Sequence, residues 1–252
     1  MAKMRENYFL SRKSCRNFKG DAIDIKRLEE IIEKAAKAPT CGNMQLYSVI
    51  VTQDKEMKNK LSEQHFNQPA SSSAPVILTI CADFNRFTRW CELNNADAGF
   101  DNFHSFITAM TDAVIFAQQI VSVAEMEGLG TCYLGTVTYN AKEISELLEL
   151  PELVVPVVAL AIGLPETQGE QTQRLPLDAI IHNEKYRKDS DSKISDFFRI
   201  HTEDPANTRF IKENNKENLA QVFSEIRYPR HLNESVSDSF EAILKEKGFI
   251  KK

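Results

Sequence analysis

Arg12, Ser14 and Arg16 sit two residues apart in the run Arg12-Lys13-Ser14-Cys15-Arg16. On an extended chain alternate side chains share a face, so two guanidiniums and a hydroxyl converge on one side. That set suits a small dianion, because arginine presents a planar fork of donors and serine adds one more. Lys13 falls on the opposite face unless the chain turns. Read alone, these five residues fit an ordinary solvated basic patch as well.

Two further clusters carry hydrogen-bonding chemistry. Ala38-Pro39-Thr40-Cys41-Gly42-Asn43-Met44-Gln45 breaks a helix with Pro and Gly and offers hydroxyl and amide groups. Thr131-Cys132-Tyr133-Leu134-Gly135-Thr136 reads as a strand entering a tight polar turn. Tyr133 and Leu134 are equally readable as strand core. Cys41 also fits a small buried apolar residue, and nothing beside it marks a nucleophile. His65, His104, His182, His201 and His231 are isolated, without the spacing of metal ligands, so no metal is expected.

The elements that must hold these groups follow from periodicity. Asp24–Lys37 reads as a helix through Ile25, Leu28, Ile31, Ile32 and Ala35, with an aspartate to cap it. Ser48–Val51 is a short strand, 55–64 a charged helix, and 68–73 a loop. Pro75–Ala82 and Val154–Gly163 are apolar runs of buried strands, and Ala141–Leu148 a short helix. Phe84–Gly99 looks irregular. The longest helical signal is Asn102–Glu127, where Phe106, Met110, Ala113, Val114, Ala117, Ile120, Val121 and Ala124 give a wide face rich in alanine. Small residues admit a close neighbour, so this is the expected central helix and a candidate for packing on a second copy of itself. Asp112 within it reads as a paired or interfacial polar group. Phe197, Phe198, Phe210 and Phe223 suggest carboxy-terminal helices lying on another surface.

Composition narrows the class. The 252 residues are 42% hydrophobic and 27% charged, as in an ordinary globular protein. A net charge of -5 disfavours nucleic acid and anionic membrane as partners. No apolar run approaches the length of a membrane span. The polar Met1–Glu6 lacks a signal-peptide core, and the five scattered cysteines fit free thiols. A cytoplasmic location is expected.

The motifs taken together resemble the nitroreductase/flavin reductase family. Arg12-Lys13-Ser14-Cys15-Arg16-Asn17-Phe18 is similar to its Arg-Arg-Ser-x-Arg-x-Phe opening, and Ala38 to Gln45 to its Ala-Pro-Ser-x-x-Asn-x-Gln loop. Ala82-Asp83-Phe84-Asn85-Arg86, Gly128-Leu129-Gly130, Tyr133-Leu134-Gly135 and Arg174-Leu175-Pro176 resemble its larger, NADPH-using branch. The resemblance covers about residue 8 to residue 190 and raises the opening stretch above a mere basic patch.

The resemblance implies an α+β, three-layer α/β/α fold. A short mixed, mainly antiparallel sheet would be flanked by helices around a long central helix. It implies a homodimer with FMN at the interface, an FMN-binding core over 1–190, and a helical extension over 191–252 that packs on the core or the partner subunit. Arg12, Lys13, Ser14, Arg16 and Arg174 would hold the phosphate. Lys13 stands where the family has arginine, and Thr172 where it tends to be basic. Thr40, Cys41, Gly42 and Asn43 would reach the flavin of the other subunit, with Gln68, Tyr133, Leu134, Gly135 and Thr136 beside the ring. Glycine at 135 suits a backbone N–H approaching the reactive edge.

The implied activity is ping-pong two-electron transfer from NAD(P)H, with a lean to NADPH, to nitroaromatics, quinones or flavins. No catalytic side chain is expected. Arg199 and Arg209 are candidates for a 2'-phosphate, against the charges of Glu203 and Asp204. The alternatives are a flavin-binding protein without turnover, serving as sensor or store, and a related FMN reductase with another acceptor.

Overall fold

In the computed structural model, residues 8–167 and 169–251 are described. The chain divides into two compact units, Met1–Glu170 with Val236–Lys252, and Gln171–Ser235.

The first unit is built on four strands: β1 (Tyr47–Thr52), β2 (Val76–Asp83), β3 (Gly130–Tyr133) and β4 (Val154–Gly163). Their order is β1-β2-β4-β3, and every pairing is antiparallel. The expected mainly antiparallel sheet therefore has no parallel pair among its described strands. Every residue of β2 and β4 is buried, which is why both read as unbroken apolar runs rather than alternating ones. Pro156 cannot donate to a ladder, and the register slips beside it: Ile80 faces Val158 but Cys81 faces Pro156, leaving Val157 as an extra residue.

Helices cover both faces. They are α1 (Ile25–Ala35), α2 (Lys55–Gln64), α3 (Pro69–Ser73), α4 (Asn85–Leu93), α5 (Phe103–Met126) and α6 (Ala141–Leu147). On one face Leu78 and Ile80 of β2 and Leu160 and Ile162 of β4 pack with Ala113, Phe116, Ala117 and Ile120 of α5, with Leu28 and Ile31 of α1 in the same cluster. On the other face Ile77, Ala159 and Ala161 meet Leu61 of α2, Ala70 of α3 and Ile144 of α6. The result is the expected α/β/α layering.

α5 is the central helix. Asn102 caps it by accepting the Ser105 N–H at 3.0 Å. Against the expectation that no apolar run approaches a membrane span, its 24 residues are apolar enough to cross one by length and composition alone. Its buried face, however, lies on the sheet, with Phe116 stacked on Tyr47 of β1 at 4.1 Å between ring centres. Phe103, Ile107 and Val114, at helical spacing, stay exposed.

Two sequence expectations give way. The 68–73 loop contains α3, whose Pro69 occupies the first helical turn, a favoured site that the serine run obscured. The irregular 84–99 segment contains α4. Its signal was the three-residue spacing of Phe84, Phe87 and Trp90, which form an aromatic cluster with Phe100.

In the second unit, α7 (Asp191–Thr202) and α8 (Pro205–Glu213) are capped by Ser190 and Asp204. A further helix, α9 (Arg230–Glu246), runs from the second unit into the first. There Leu244 and the following Phe249 are buried in the core, with the Phe249 ring 5.5 Å from that of Phe106.

Candidate functional site

The opening arginine stretch is pinned by backbone bonds. Cys15 N–H donates to Thr131 O at 2.9 Å, Lys19 N–H to Leu164 O at 2.9 Å, and Glu166 N–H to Asn17 O at 3.0 Å. The stretch thus lies between the start of β3 and the chain leaving β4. Cys15 points inward onto Gly130, where any Cβ would lie 2.6 Å from the Cys15 Cβ. A Cβ on Gly169 would lie 2.3 Å from the Ser14 carbonyl oxygen, so both positions require glycine's missing side chain.

With Cys15 turned in, Arg12, Lys13 and Ser14 line an open cavity of about 230 Å³, closed by Gly128, Gly130, Pro165 and Thr167. Lys13 shares this cavity rather than facing away. Arg16 is exposed and makes no hydrogen bond or ion pair with the described residues.

Glu125, near the end of α5, organises the cavity. Its carboxylate, 9% exposed, accepts from the Arg12 guanidinium at 3.1 Å, from the Tyr8 hydroxyl at 3.0 Å and from the Thr131 hydroxyl. Burial, then the Glu125 charge, pushes the Tyr8 phenol up to about 12. Arg12 Nε remains buried with no acceptor among the described residues. A small anion fits this donor set: one guanidinium held in place with a donor unused, an ammonium, a hydroxyl and a glycine-lined wall. The volume suits a phosphate group rather than a whole flavin nucleotide.

The second group is the loop after α1. Asp112 of α5, 2% exposed, accepts the Cys41 N–H at 2.9 Å and the Leu46 N–H at 3.3 Å. It is a paired polar group, and its partners are backbone. Between these anchors Gly42 and Asn43 have φ of +54° and +56°, which turns the loop outward. Cys41, Gly42 and Asn43 are exposed and Thr40 half-buried, so the reading of Cys41 as a buried apolar residue fails.

The third group is the turn after β3. Leu134 N–H donates to Ala159 O at 2.9 Å and its side chain is 1% exposed. Leu134 is therefore core, and only its backbone is available to a ligand. Tyr133 is 39% exposed, its hydroxyl donating to Gln118 at 3.3 Å. Gly135 is exposed, with no atom within 4 Å of where a Cβ would stand. Thr136 Oγ1 lies 2.9 Å from Nδ1 of His65 at the end of α2. Gln68 N–H donates to His65 O at 3.3 Å, so Gln68 and Thr136 are tied to the same residue.

His65 is fully buried, and burial pushes its imidazole down to about 4 from an ordinary 6.5. The unfolded chain therefore takes up the proton first as pH falls. Stability from burying the neutral ring is intact above about pH 6.5 and is lost progressively toward about pH 4. The expected loss is roughly 2–3 kcal/mol, read from thermal melts across that window. A His65→Gln variant should lack this part of the slope; identical slopes would contradict the assignment.

Arg174 lies in the second unit. Its guanidinium donates to Thr172 O at 2.9 Å, to Gln173 O at 3.1 Å and to the Thr172 hydroxyl. Arg199 pairs with Asp196, and Arg209 lies 3.7 Å from Glu213. Of the residues around these groups, Glu125 and His65 escaped the sequence reading. A lone glutamate in a helix and a lone histidine carry no motif, and only their neighbours in space give them a role.

The profile of the family described as "Nitroreductase family" matches residues 10–164. The protein named FMN reductase [NAD(P)H] from Bacillus subtilis (strain 168) is 34% identical over 230 residues, covering 88% of this chain and 91% of its own. The crystal structure of a provisionally named oxidoreductase from Bacteroides fragilis NCTC 9343 superposes with a TM-score of 0.95 at 41% identity, covering 97% of this chain and 100% of that one. The NfrA1 nitroreductase structure from B. subtilis gives a TM-score of 0.84 at 25% identity, covering 98% of this chain and 100% of its own. This chain belongs to the Nitroreductase family.

Proposed function

We propose that this protein is an FMN-dependent oxidoreductase that takes electrons from NAD(P)H, with NADPH preferred, and passes them to nitroaromatics, quinones or flavins by a ping-pong route. The observation that carries the reading is the convergence of Arg12, Lys13 and Ser14 on one small open cavity, in a family member whose relatives include an FMN reductase. Bound FMN supplies two-electron acceptance and donation at its ring.

The chain's own residues bind and orient. Arg12, Lys13 and Ser14, with Arg16, hold the phosphate. Thr40, Cys41, Gly42, Asn43 and Gln68 offer donors and acceptors to the polar edge of the ring, and Tyr133, Leu134, Gly135 and Thr136 flank it. The reaction needs no nucleophile or general base from the protein, since an open cleft delivers protons from water. The exposed Phe103, Ile107 and Val114 on α5 support a homodimer, in which a second copy covers that stripe and the 40–43 loop reaches the partner's flavin. The FMN-binding core corresponds to the first unit, and the protein works in the cytoplasm. Acidic balance supports small molecules rather than nucleic acid as substrates.

The test is the absorbance spectrum of the purified protein loaded with FMN, followed by anaerobic addition of NADPH. Bleaching of the flavin band supports the reading; a yellow protein that NADPH and NADH both leave unchanged overturns it in favour of a flavin store. Gly135→Ala gives a sharper expectation. The methyl group meets no protein atom within 4 Å, so stability should stay within about 0.5 kcal/mol. With a flavin seated on this turn the methyl would crowd its reactive edge instead, so flavin reduction in stopped flow should slow by about tenfold. Unchanged reduction would remove Gly135 from the site.

A further inference from the structure

His65 is buried completely, yet its two ring nitrogens are treated unequally. Nδ1 lies 2.9 Å from Thr136 Oγ1, whereas Nε2 is buried with no partner among the described residues. A neutral imidazole carries one N–H and one lone pair. A proton on Nε2 would bury a donor without an acceptor, a larger penalty than an unfilled lone pair. The proton therefore sits on Nδ1 and is donated to Thr136 Oγ1.

That assignment fixes the threonine. With its oxygen accepting from His65, the hydroxyl proton must be donated elsewhere, and Thr136 Oγ1 has no other hydrogen bond among the described residues. Thr136 is half-buried and borders Gly135, around whose Cα the space is open. We propose that His65 is a positioning residue, which holds the Thr136 hydroxyl as a donor aimed at a ligand seated on the 133–136 turn. The ligand atom it fits is a carbonyl oxygen or ring nitrogen of a flavin. The identity of that ligand rests on the reading under Proposed function; the proton assignment does not. His65 touches no ligand and acts only through Thr136.

Two measurements test this. Long-range proton–nitrogen NMR of the flavin-free protein near neutral pH should show the His65 proton on Nδ1; a proton on Nε2 overturns the proposal. FMN affinity by fluorescence quenching and anaerobic flavin reduction are then compared in Thr136→Val, His65→Leu, His65→Asn and the double variant. Thr136→Val and His65→Leu should each lose about five- to tenfold in affinity or reduction rate. Both should shift the flavin absorbance band alike, and the double variant should lose no more than either.

His65→Asn, whose amide still donates to Thr136, should recover part of the loss. Multiplying losses, or a wild-type spectrum and affinity in Thr136→Val, would overturn the proposal. A lower melting temperature in His65→Leu without a shifted flavin band would assign His65 to folding alone and also overturn it. If His65→Leu does not fold, the NMR assignment and Thr136→Val decide. Failure of the wild type to bind FMN would sink the flavin reading instead, and the NMR result would still stand or fall separately.

Discussion

Asp112→Ala is expected to lower stability by roughly 2–4 kcal/mol and to free the loop from Cys41 to Leu46. The carboxylate is 2% exposed and satisfies two backbone N–H groups, of Cys41 at 2.9 Å and Leu46 at 3.3 Å. Alanine leaves the buried Leu46 N–H without its acceptor, at about 1–3 kcal/mol, whereas the part-buried Cys41 N–H can turn to water at a smaller cost. It also leaves a small void beneath β1. For a chain of this size the melting temperature should fall by roughly 10 °C. Asp112→Asn should be intermediate, because one amide oxygen still accepts while the NH₂ group faces a second donor. Calorimetry of the three proteins checks this, and an alanine variant melting within about 2 °C of wild type would contradict it. The functional consequence follows from the same geometry: Thr40 to Asn43 lose the anchor that presents them, so FMN affinity should fall with stability.

Arg12→Ala should weaken FMN binding by at least about 100-fold. Removing the guanidinium takes away the cavity's anchored cation. It also leaves the Glu125 carboxylate, 9% exposed, with only the Tyr8 and Thr131 hydroxyls as partners among the described residues. The cavity then presents negative charge toward a phosphate. Arg12→Lys keeps the charge but loses the planar fork that serves Glu125 and an anion together, and about tenfold should be lost. Fluorescence quenching of FMN measures both. An alanine variant within about threefold of wild type would show that the phosphate sits elsewhere.

Much of this arrangement was legible in the residues. Ala113, Ala117 and Ala124 at helical spacing marked α5 as the core helix, and the unbroken apolar runs of β2 and β4 marked strands covered on both faces. The alternation of Arg12, Ser14 and Arg16 predicted one shared face. Arg12 and Ser14 do line one cavity, but the exposed Arg16 is not among its lining residues, because the chain bends where Cys15 is buried. What stayed hidden depends on contacts distant in sequence. Glu125 meets Arg12 across 113 residues and His65 meets Thr136 across 71, and no local pattern encodes either. Lys13 was misplaced because strict alternation ignores how the chain bends once Cys15 is buried. α4 was lost because its three-residue aromatic spacing sat among polar residues. Leu134 shows a different limit: a motif position says which residue lies beside a site, but only burial says that its backbone alone is offered.

The central claim is that the amino-terminal cavity grips a phosphate carried by a flavin. Comparing the affinity of the wild-type protein for FMN and for riboflavin, identical but for that phosphate, tests it most directly. The account predicts FMN binding tighter by at least about 100-fold, a preference that Arg12→Ala abolishes. Equal affinity for the two flavins would contradict it.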